Sequence, residues 1–185
     1  MEIYFLRWLF TLIFRSLHTH VNKNLLMITQ LNPGDQAPDF CEIDQNDQKR
    51  ALADYSGKIL VLYFYPHDLT PTCTVEACNF RDNYSDLKKK GIVVLGVSED
   101  AATKHQKFIS KHELPFDLIA DVDRAMLKAY GVWGNKKFMG REYDGTHRTT
   151  FIIGGDGKII DVIKKVKSKI HSEQIMEILV DKGAL

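Results

Sequence analysis

The sequence has 185 residues, of which 44% are hydrophobic and 26% are charged. A chain of this length and apolar content can bury the core of one domain, which excludes collagen-like, disulfide-framework and intrinsically disordered proteins. Its 25 Lys and Arg residues balance its 24 Asp and Glu residues, so no excess of positive charge is present to neutralise a nucleic-acid backbone. Nucleic acid is therefore not an expected partner.

Residues 1–30 form a candidate N-terminal extension with one acidic residue and an apolar stretch from Ile3 to Phe14. Arg7 interrupts this stretch, which is shorter than the roughly 20 residues that span a bilayer, so no stable membrane span is expected. It also lacks the cleavage site of a signal peptide. A transit-like segment and a membrane-surface helix stay open, as does a true start at Met27. The domain itself is expected to span residues 31–185.

Strand patterns begin soon after this extension. Phe40 to Ile43 and Arg50 to Leu52 flank a polar turn and predict a short hairpin. Ile59 to Tyr65 is apolar throughout, which is typical of a strand buried on both faces, and Pro66 ends the run.

A helix is predicted directly after this strand. Thr70 can cap it, Pro71 suits its first position, and Glu76 favours its first turns. Lys88 to Lys90 complement its carboxyl end, which Gly91 follows.

The rest of the chain continues to alternate between strands and helices. The predicted elements are strand Ile92 to Val97, helix Ala102 to His112, strand Phe116 to Ala120, helix Arg124 to Tyr130, strands Thr149 to Ile153 and Lys158 to Val166, and helix Ser172 to Val180. This order favours a three-layer α/β domain with a central mixed sheet flanked by helices. Ligands in such folds bind at the carboxyl ends of strands, so the chemistry is expected just after Tyr65.

Cys73 is the candidate nucleophile in this region. With Thr70 as the cap, it occupies the third position of the predicted helix. The unpaired amides and the helix dipole at such a position favour a thiolate over a thiol. The alternative is a small buried apolar cysteine, which is the commoner state of a free thiol.

The residues around Cys73 resemble a known motif. The order Pro66-x-x-x-Thr70-x-x-Cys73 is similar to the peroxidatic motif of peroxiredoxins. The longer pattern from Tyr63 to Asp82, YFYP followed by TPTCTxEACxFRD, resembles the Q-type branch of that family, the bacterioferritin comigratory proteins.

Two further segments are similar to the same family. Gly34 to Phe40 resembles the family's opening, and Arg148 to Ile153 resembles the strand that carries its active-site arginine. Order, spacing and residue types agree at three separated places. The resemblance covers the chain from Leu31 to its end, and it implies a thioredoxin fold and a thiol peroxidase.

The resemblance implies a role for each residue of the motif. Cys73, as thiolate, attacks the terminal peroxide oxygen and becomes a sulfenic acid while water or an alcohol leaves. Arg148 stabilises the thiolate and the charge that develops on the peroxide. Thr70 offers a hydroxyl to the peroxide or the sulfur, and Pro66 closes the pocket. Taken one at a time, Arg148 is also explained as a surface salt-bridge partner, Thr70 as a helix cap and Pro66 as a strand terminator.

The resemblance also bears on the other cysteines. It implies that Cys78 is the resolving cysteine, which attacks the sulfenic acid and closes an intramolecular disulfide; a buried helical residue is the alternative. Cys41 is interpreted as a structural strand cysteine without a role, although a reaction with Cys73 stays open. His67 and Thr72 stand where the family commonly has lysine and glycine. Neither position carries the reacting atoms, so these two differences bear on which peroxide the protein prefers.

The resemblance implies a cytoplasmic, monomeric peroxidase that reduces hydrogen peroxide and organic hydroperoxides and is recycled by thioredoxin or a glutaredoxin-like protein. Three cysteines without a CxxC favour a reducing compartment and argue against a disulfide oxidoreductase. The seven histidines form no HxH or HExxH cluster, so no metal is expected, nor flavin or haem. A redox-sensing binding protein or holdase that uses the same cysteine pair is the alternative function.

Overall fold

The structure is a computed structural model, and it describes residues 29–138 and 140–185. The predicted N-terminal extension lies outside these residues, apart from its last two. Of these two, Thr29 is buried, and its carbonyl accepts a hydrogen bond from Lys164 Nζ at 3.3 Å. Among the helices that the structure describes, none combines the length and the hydrophobicity needed to cross a membrane.

The described residues contain strands and helices in nearly the predicted order. They are β1 Cys41–Ile43, β2 Lys49–Ala51, β3 Ile59–Phe64, α1 Pro71–Lys89, β4 Ile92–Ser98, α2 Ala102–His112, β5 Asp117–Ala120, α3 Ala125–Ala129, β6 Trp133–Phe138, β7 Arg141–Thr146, β8 Thr149–Ile153, β9 Ile159–Ile163 and α4 His171–Asp181. Short 3₁₀ turns cover Leu52–Tyr55 and Ser168–Ile170. The predicted bounds of α2 and β8 are confirmed, and the others differ by a few residues at their ends.

The central sheet has five strands in the order β5-β4-β3-β8-β9. β3 pairs in parallel with β4, and β4 with β5, whereas β8 runs antiparallel to both β3 and β9. The sheet is therefore mixed, as predicted. After Ile59, every side chain of β3 is buried, which agrees with a central strand that is covered on both faces.

Successive residues of β3 point to opposite faces of the sheet. On one face, Tyr63 belongs to a core cluster with Phe80, Phe108 and Ile175 from α1, α2 and α4. On the other face, Phe64 packs in a second cluster with Leu127 of α3 and with Phe40 from the segment before β1. The predicted three layers are confirmed.

The hairpin β6–β7 has no counterpart among the predicted elements. It forms a separate two-stranded sheet in which Trp133 pairs with Thr146. Its strands are rich in lysine, glycine and acidic residues and lack the apolar alternation that signals a half-buried strand. Two residues, the second of them Arg148, separate the hairpin from β8, whose first residue Thr149 pairs with Phe64 at the end of β3. Arg148 therefore lies beside the carboxyl end of β3.

The connection from β3 to α1 is held in place by the buried residue Asp68. Its carboxylate accepts a hydrogen bond from the Tyr65 hydroxyl at 2.6 Å and lies 2.8 Å from Nδ1 of His105 in α2. Its main-chain N–H donates to Asp100 Oδ2 at 2.6 Å. The side chains of Asp68 and His105 are fully buried, so this pair fixes the approach to α1 relative to α2.

Candidate active site

Cys73 is the third residue of α1, just beyond the carboxyl end of β3, as predicted. Its side chain is buried. Thr70 is the N-cap residue, but the predicted side-chain cap is wrong, because the Thr70 hydroxyl instead donates to the His67 carbonyl at 2.9 Å. A threonine can hydrogen-bond to nearby main chain in place of capping a helix.

Arg148 reaches Cys73 from the connection between β7 and β8. Its Nη2 donates to Cys73 Sγ at 3.0 Å, and its Nη1 donates to Oε2 of Glu76. Glu76 lies three residues after Cys73, on the same face of α1. Within the described residues, the hydrogen bond to the sulfur comes from this guanidinium. The resemblance had implied that Arg148 acts on the thiolate, and the helix position had suggested main-chain amides as well.

Arg148 provides a permanent positive charge beside the sulfur. Burial by itself lowers the pKa of Arg148, but the negative charges of Glu76 and Cys73 outweigh burial and raise its pKa above the usual value. The guanidinium therefore keeps its hydrogen-bond donors at any physiological pH. A fixed cation at this distance stabilises a thiolate relative to a thiol.

Glu76 has a different environment from the one expected for a residue that complements the helix dipole. The side chain is fully buried and forms an ion pair with Arg148. Its other oxygen, Oε1, lies 2.9 Å from Nδ1 of His171, the first residue of α4, although the angles are not those of a hydrogen bond. Glu76 is the sixth residue of α1, and a buried carboxylate requires a cation, which Arg148 supplies.

Two further side chains, Tyr63 and Lys136, lie near the sulfur, and only Tyr63 belongs to the sequence motif. The Tyr63 hydroxyl is buried and has no hydrogen-bond partner among the described residues, and burial followed by the charge of Glu76 raises its pKa well above 10. Lys136 of β6 is a second cation, whose pKa is lowered by burial and then by Arg148, while the charge of Cys73 opposes this. The polar hairpin β6–β7 brings Lys136 to the site, so the sequence motif around Cys73 gave no indication of it.

Pro66 and Thr70 lie in the connection before α1, and both are half-buried. Because the Thr70 hydroxyl donates its hydrogen to His67, its oxygen lone pairs stay available to accept a hydrogen bond. The structure thus brings Arg148 into direct contact with Cys73 and places Pro66 and Thr70 on the adjoining loop.

The structure does not bring the three cysteines together. Cys78 is half-buried on the same unbroken helix, with its Sγ 4.0 Å from Nδ1 of His112. Residues five apart on an ideal helix have Cα atoms about 8 to 9 Å apart, beyond the reach of roughly 7 Å for a disulfide. All three thiols are free, and Cys41 is exposed on β1.

Comparison with known proteins identifies the family of this chain. A family model described as the AhpC/TSA family matches residues 33–162. The chain belongs to the AhpC/TSA family. The "Putative peroxiredoxin bcp" of Haemophilus influenzae is 47% identical to it over 149 residues, which cover 80% of this chain and 96% of that protein. The "Peroxiredoxin Bcp" of Escherichia coli K12 is 44% identical over 146 residues, covering 79% and 94%.

Solved structures agree with this AhpC/TSA assignment. A mutant of PrxQ from Xylella fastidiosa has a TM-score of 0.78 at 30% identity, covering 84% of this chain and 99% of that one. The bacterioferritin comigratory protein of Xanthomonas campestris has a TM-score of 0.74 at 28% identity, covering 83% and 99%. The thioredoxin fold and the Q-type branch are confirmed. This peroxiredoxin is an oxidoreductase of the peroxidase class.

Proposed function

We propose that this peroxiredoxin reduces hydrogen peroxide and organic hydroperoxides through Cys73, with Cys78 as the resolving cysteine. Thioredoxin or a glutaredoxin-like protein then reduces the disulfide. The observation that carries the proposal is the 3.0 Å contact between Arg148 Nη2 and Cys73 Sγ at the start of α1. Support for organic substrates comes from the X. campestris relative, whose trapped intermediate and ligand complex structures concern its alkyl peroxide reduction activity. All of these residues lie in the proposed domain, residues 31–185.

In the first step, the Cys73 thiolate attacks the terminal peroxide oxygen. An S–O bond forms and the O–O bond breaks, so that the sulfur is oxidised to a sulfenic acid and the leaving oxygen takes a proton as water or alcohol. Arg148 holds one donor on the sulfur in advance, and the same cation stabilises the charge as it moves to the peroxide oxygens. Thr70 accepts a hydrogen bond from the peroxide, and Pro66 excludes water from the sulfenic acid.

In the second step, the Cys78 sulfur attacks the sulfenic sulfur of Cys73. The S–S bond forms, the S–O bond breaks and water leaves. Because the two Cα atoms are about 8 to 9 Å apart on an intact helix, the first turns of α1 must unwind before this bond can form. A thiolate of the reductant then opens the disulfide by exchange.

A coupled assay with thioredoxin, thioredoxin reductase and NADPH tests the proposed function. We expect repeated turnover, with one NADPH consumed for each peroxide reduced. A parallel assay with a glutaredoxin and glutathione identifies the preferred donor. A single turnover with every donor would contradict recycling and would favour a redox sensor or holdase.

Arg148→Lys is expected to lower the second-order rate of peroxide reduction by about 10- to 100-fold. Lysine keeps the charge, but it cannot donate to Cys73 Sγ and Glu76 Oε2 at once with the planar geometry of a guanidinium. Stopped-flow measurement of the first turnover gives this rate. The matched control is Arg141→Lys on the exposed strand β7, which should react as the wild type does; equal rates in all three proteins would contradict the role of Arg148.

A further inference from the structure

The last residue of α2, His112, lies directly against Cys78. Its Nδ1 is 4.0 Å from Cys78 Sγ, and its ring packs edge-on against Phe108, with 5.3 Å between the ring centroids. The His112 carbonyl accepts a hydrogen bond from Arg81 Nη1 at 2.9 Å. Contacts with α1 and with its own helix therefore hold the imidazole beside the sulfur.

The charges around His112 favour its neutral form. Partial burial, followed by the positive charges of Lys111 on α2 and Arg81 on α1, lowers the pKa of His112 below 6.5. Asp82 pairs with Arg81 at 2.8 Å and takes up part of that charge, and the negative charge of Glu113, the residue after His112, also acts on Arg81. Cys78 is a titratable group in contact with the ring. At neutral pH the ring is free to accept a proton on Nδ1, provided that the other nitrogen carries the hydrogen.

We propose that His112 is the general base for Cys78 in disulfide formation. This inference rests on the resolving role of Cys78 in the proposed function. As the Cys78 sulfur attacks the sulfenic sulfur of Cys73, its proton moves to His112 Nδ1. The S–S bond forms with the electron pair of the Cys78 sulfur, and the S–O bond pair leaves with the oxygen. The proton returns from the imidazolium to that oxygen, so water is released and no further reactant is needed.

The position of His112 suits a helix that must open. It contacts α1 at Cys78 and Arg81, beyond the first turns that carry Cys73. The opening can therefore move Cys73 while Cys78 stays next to its base. A sulfur-to-nitrogen distance of 4.0 Å is at the long end for a hydrogen bond to sulfur, and such contacts shorten in reactive complexes.

His112→Asn tests the proposal in single-turnover experiments. The asparagine carbonyl can accept a hydrogen bond near the position of Nδ1, but it cannot take up a proton. We expect an unchanged rate of sulfenic acid formation at Cys73 and a disulfide step about 100-fold slower at pH 7, within the usual contribution of a general base. Lys107→Gln, an exposed change on the same helix, is the control and should leave both steps unchanged.

The pH profile and chemical rescue distinguish a base from a merely structural contact. In the wild type, the rate of the disulfide step should fall as the pH drops through the lowered pKa of His112 and should level off above it. In His112→Asn the rate should rise with pH across the neutral range, because hydroxide must replace the base. Added imidazole should accelerate the disulfide step of His112→Ala and should leave wild type unchanged.

Each outcome decides the proposal. An unchanged disulfide rate in His112→Asn overturns it. A slow disulfide rate also overturns it if His112→Asn keeps the wild-type pH profile and His112→Ala gains nothing from imidazole. Mass spectrometry of the oxidised wild type separates this inference from the proposed function. If Cys73 reduces peroxide but forms no disulfide with Cys78, the resolving role fails, and the role of His112 fails with it.

Discussion

Replacing Cys73 with serine is expected to remove peroxidase activity, lowering the second-order rate by about 1,000-fold or more, as the loss of a catalytic nucleophile does in other enzymes. A serine hydroxyl is not ionised at neutral pH, and its oxygen cannot be oxidised to the equivalent of a sulfenic acid. The buried hydroxyl can still accept the hydrogen bond from Arg148, so the fold should persist. Competition kinetics with hydrogen peroxide measure the rate, and circular dichroism checks the fold.

The other two cysteines are the matched controls for this substitution. Cys78→Ser should keep one fast turnover and lose thioredoxin-driven cycling, whereas Cys41→Ser, on the exposed strand β1, should change neither. Equal single-turnover rates in the wild type and Cys73→Ser would overturn the nucleophile assignment. Loss of cycling in Cys41→Ser, with cycling kept in Cys78→Ser, would transfer the resolving role to Cys41.

Oxidation to the Cys73–Cys78 disulfide is expected to unwind the start of α1. That helix has 19 residues and passes through both cysteines, so about two of its turns must open to bring the sulfurs together. Amide exchange from Thr72 to Phe80 should become about 100-fold faster, which corresponds to a local loss of about 3 kcal/mol of protection. Exchange mass spectrometry before and after one equivalent of peroxide measures this change.

Two controls restrict the interpretation of the exchange experiment. Peptides from α2 provide an internal reference, because that helix contains no cysteine. Cys78→Ser, oxidised to its sulfenic acid, should retain the slow exchange of the reduced protein. Unchanged exchange in a protein whose Cys73–Cys78 disulfide is verified by mass spectrometry would refute the unwinding.

The sequence predicted those parts of the fold that depend on local patterns. β3 was recognisable because it is continuously apolar, and the position of Cys73 followed from a proline just inside a helix that succeeds a buried strand. The motif with Pro66, Thr70 and Arg148 was recognisable from order and spacing. These features require no knowledge of which distant segments meet.

The features of the site that the sequence did not predict depend on contacts between distant segments. Glu76 looked like a residue suited to a helix start, and only the position of Arg148, 72 residues later, shows why it is buried. Lys136 lies on a polar hairpin without apolar alternation. His112 ends a helix whose bounds were predicted, yet its contact with Cys78, across 34 residues, follows from how α2 packs on α1.

In the proposed mechanism, the unbroken course of α1 makes the lifetime of the sulfenic acid depend on helix stability. Local unfolding of a packed helix takes microseconds to seconds, and when opening is faster than the chemistry, the rate of the disulfide step follows the population of the open helix. Every 1.4 kcal/mol of added stability in the first turns lowers that population about tenfold and prolongs the exposure of the sulfenic acid to further peroxide by the same factor. Residues such as Val75, which is exposed on α1, can therefore alter resistance to overoxidation without touching the reacting atoms.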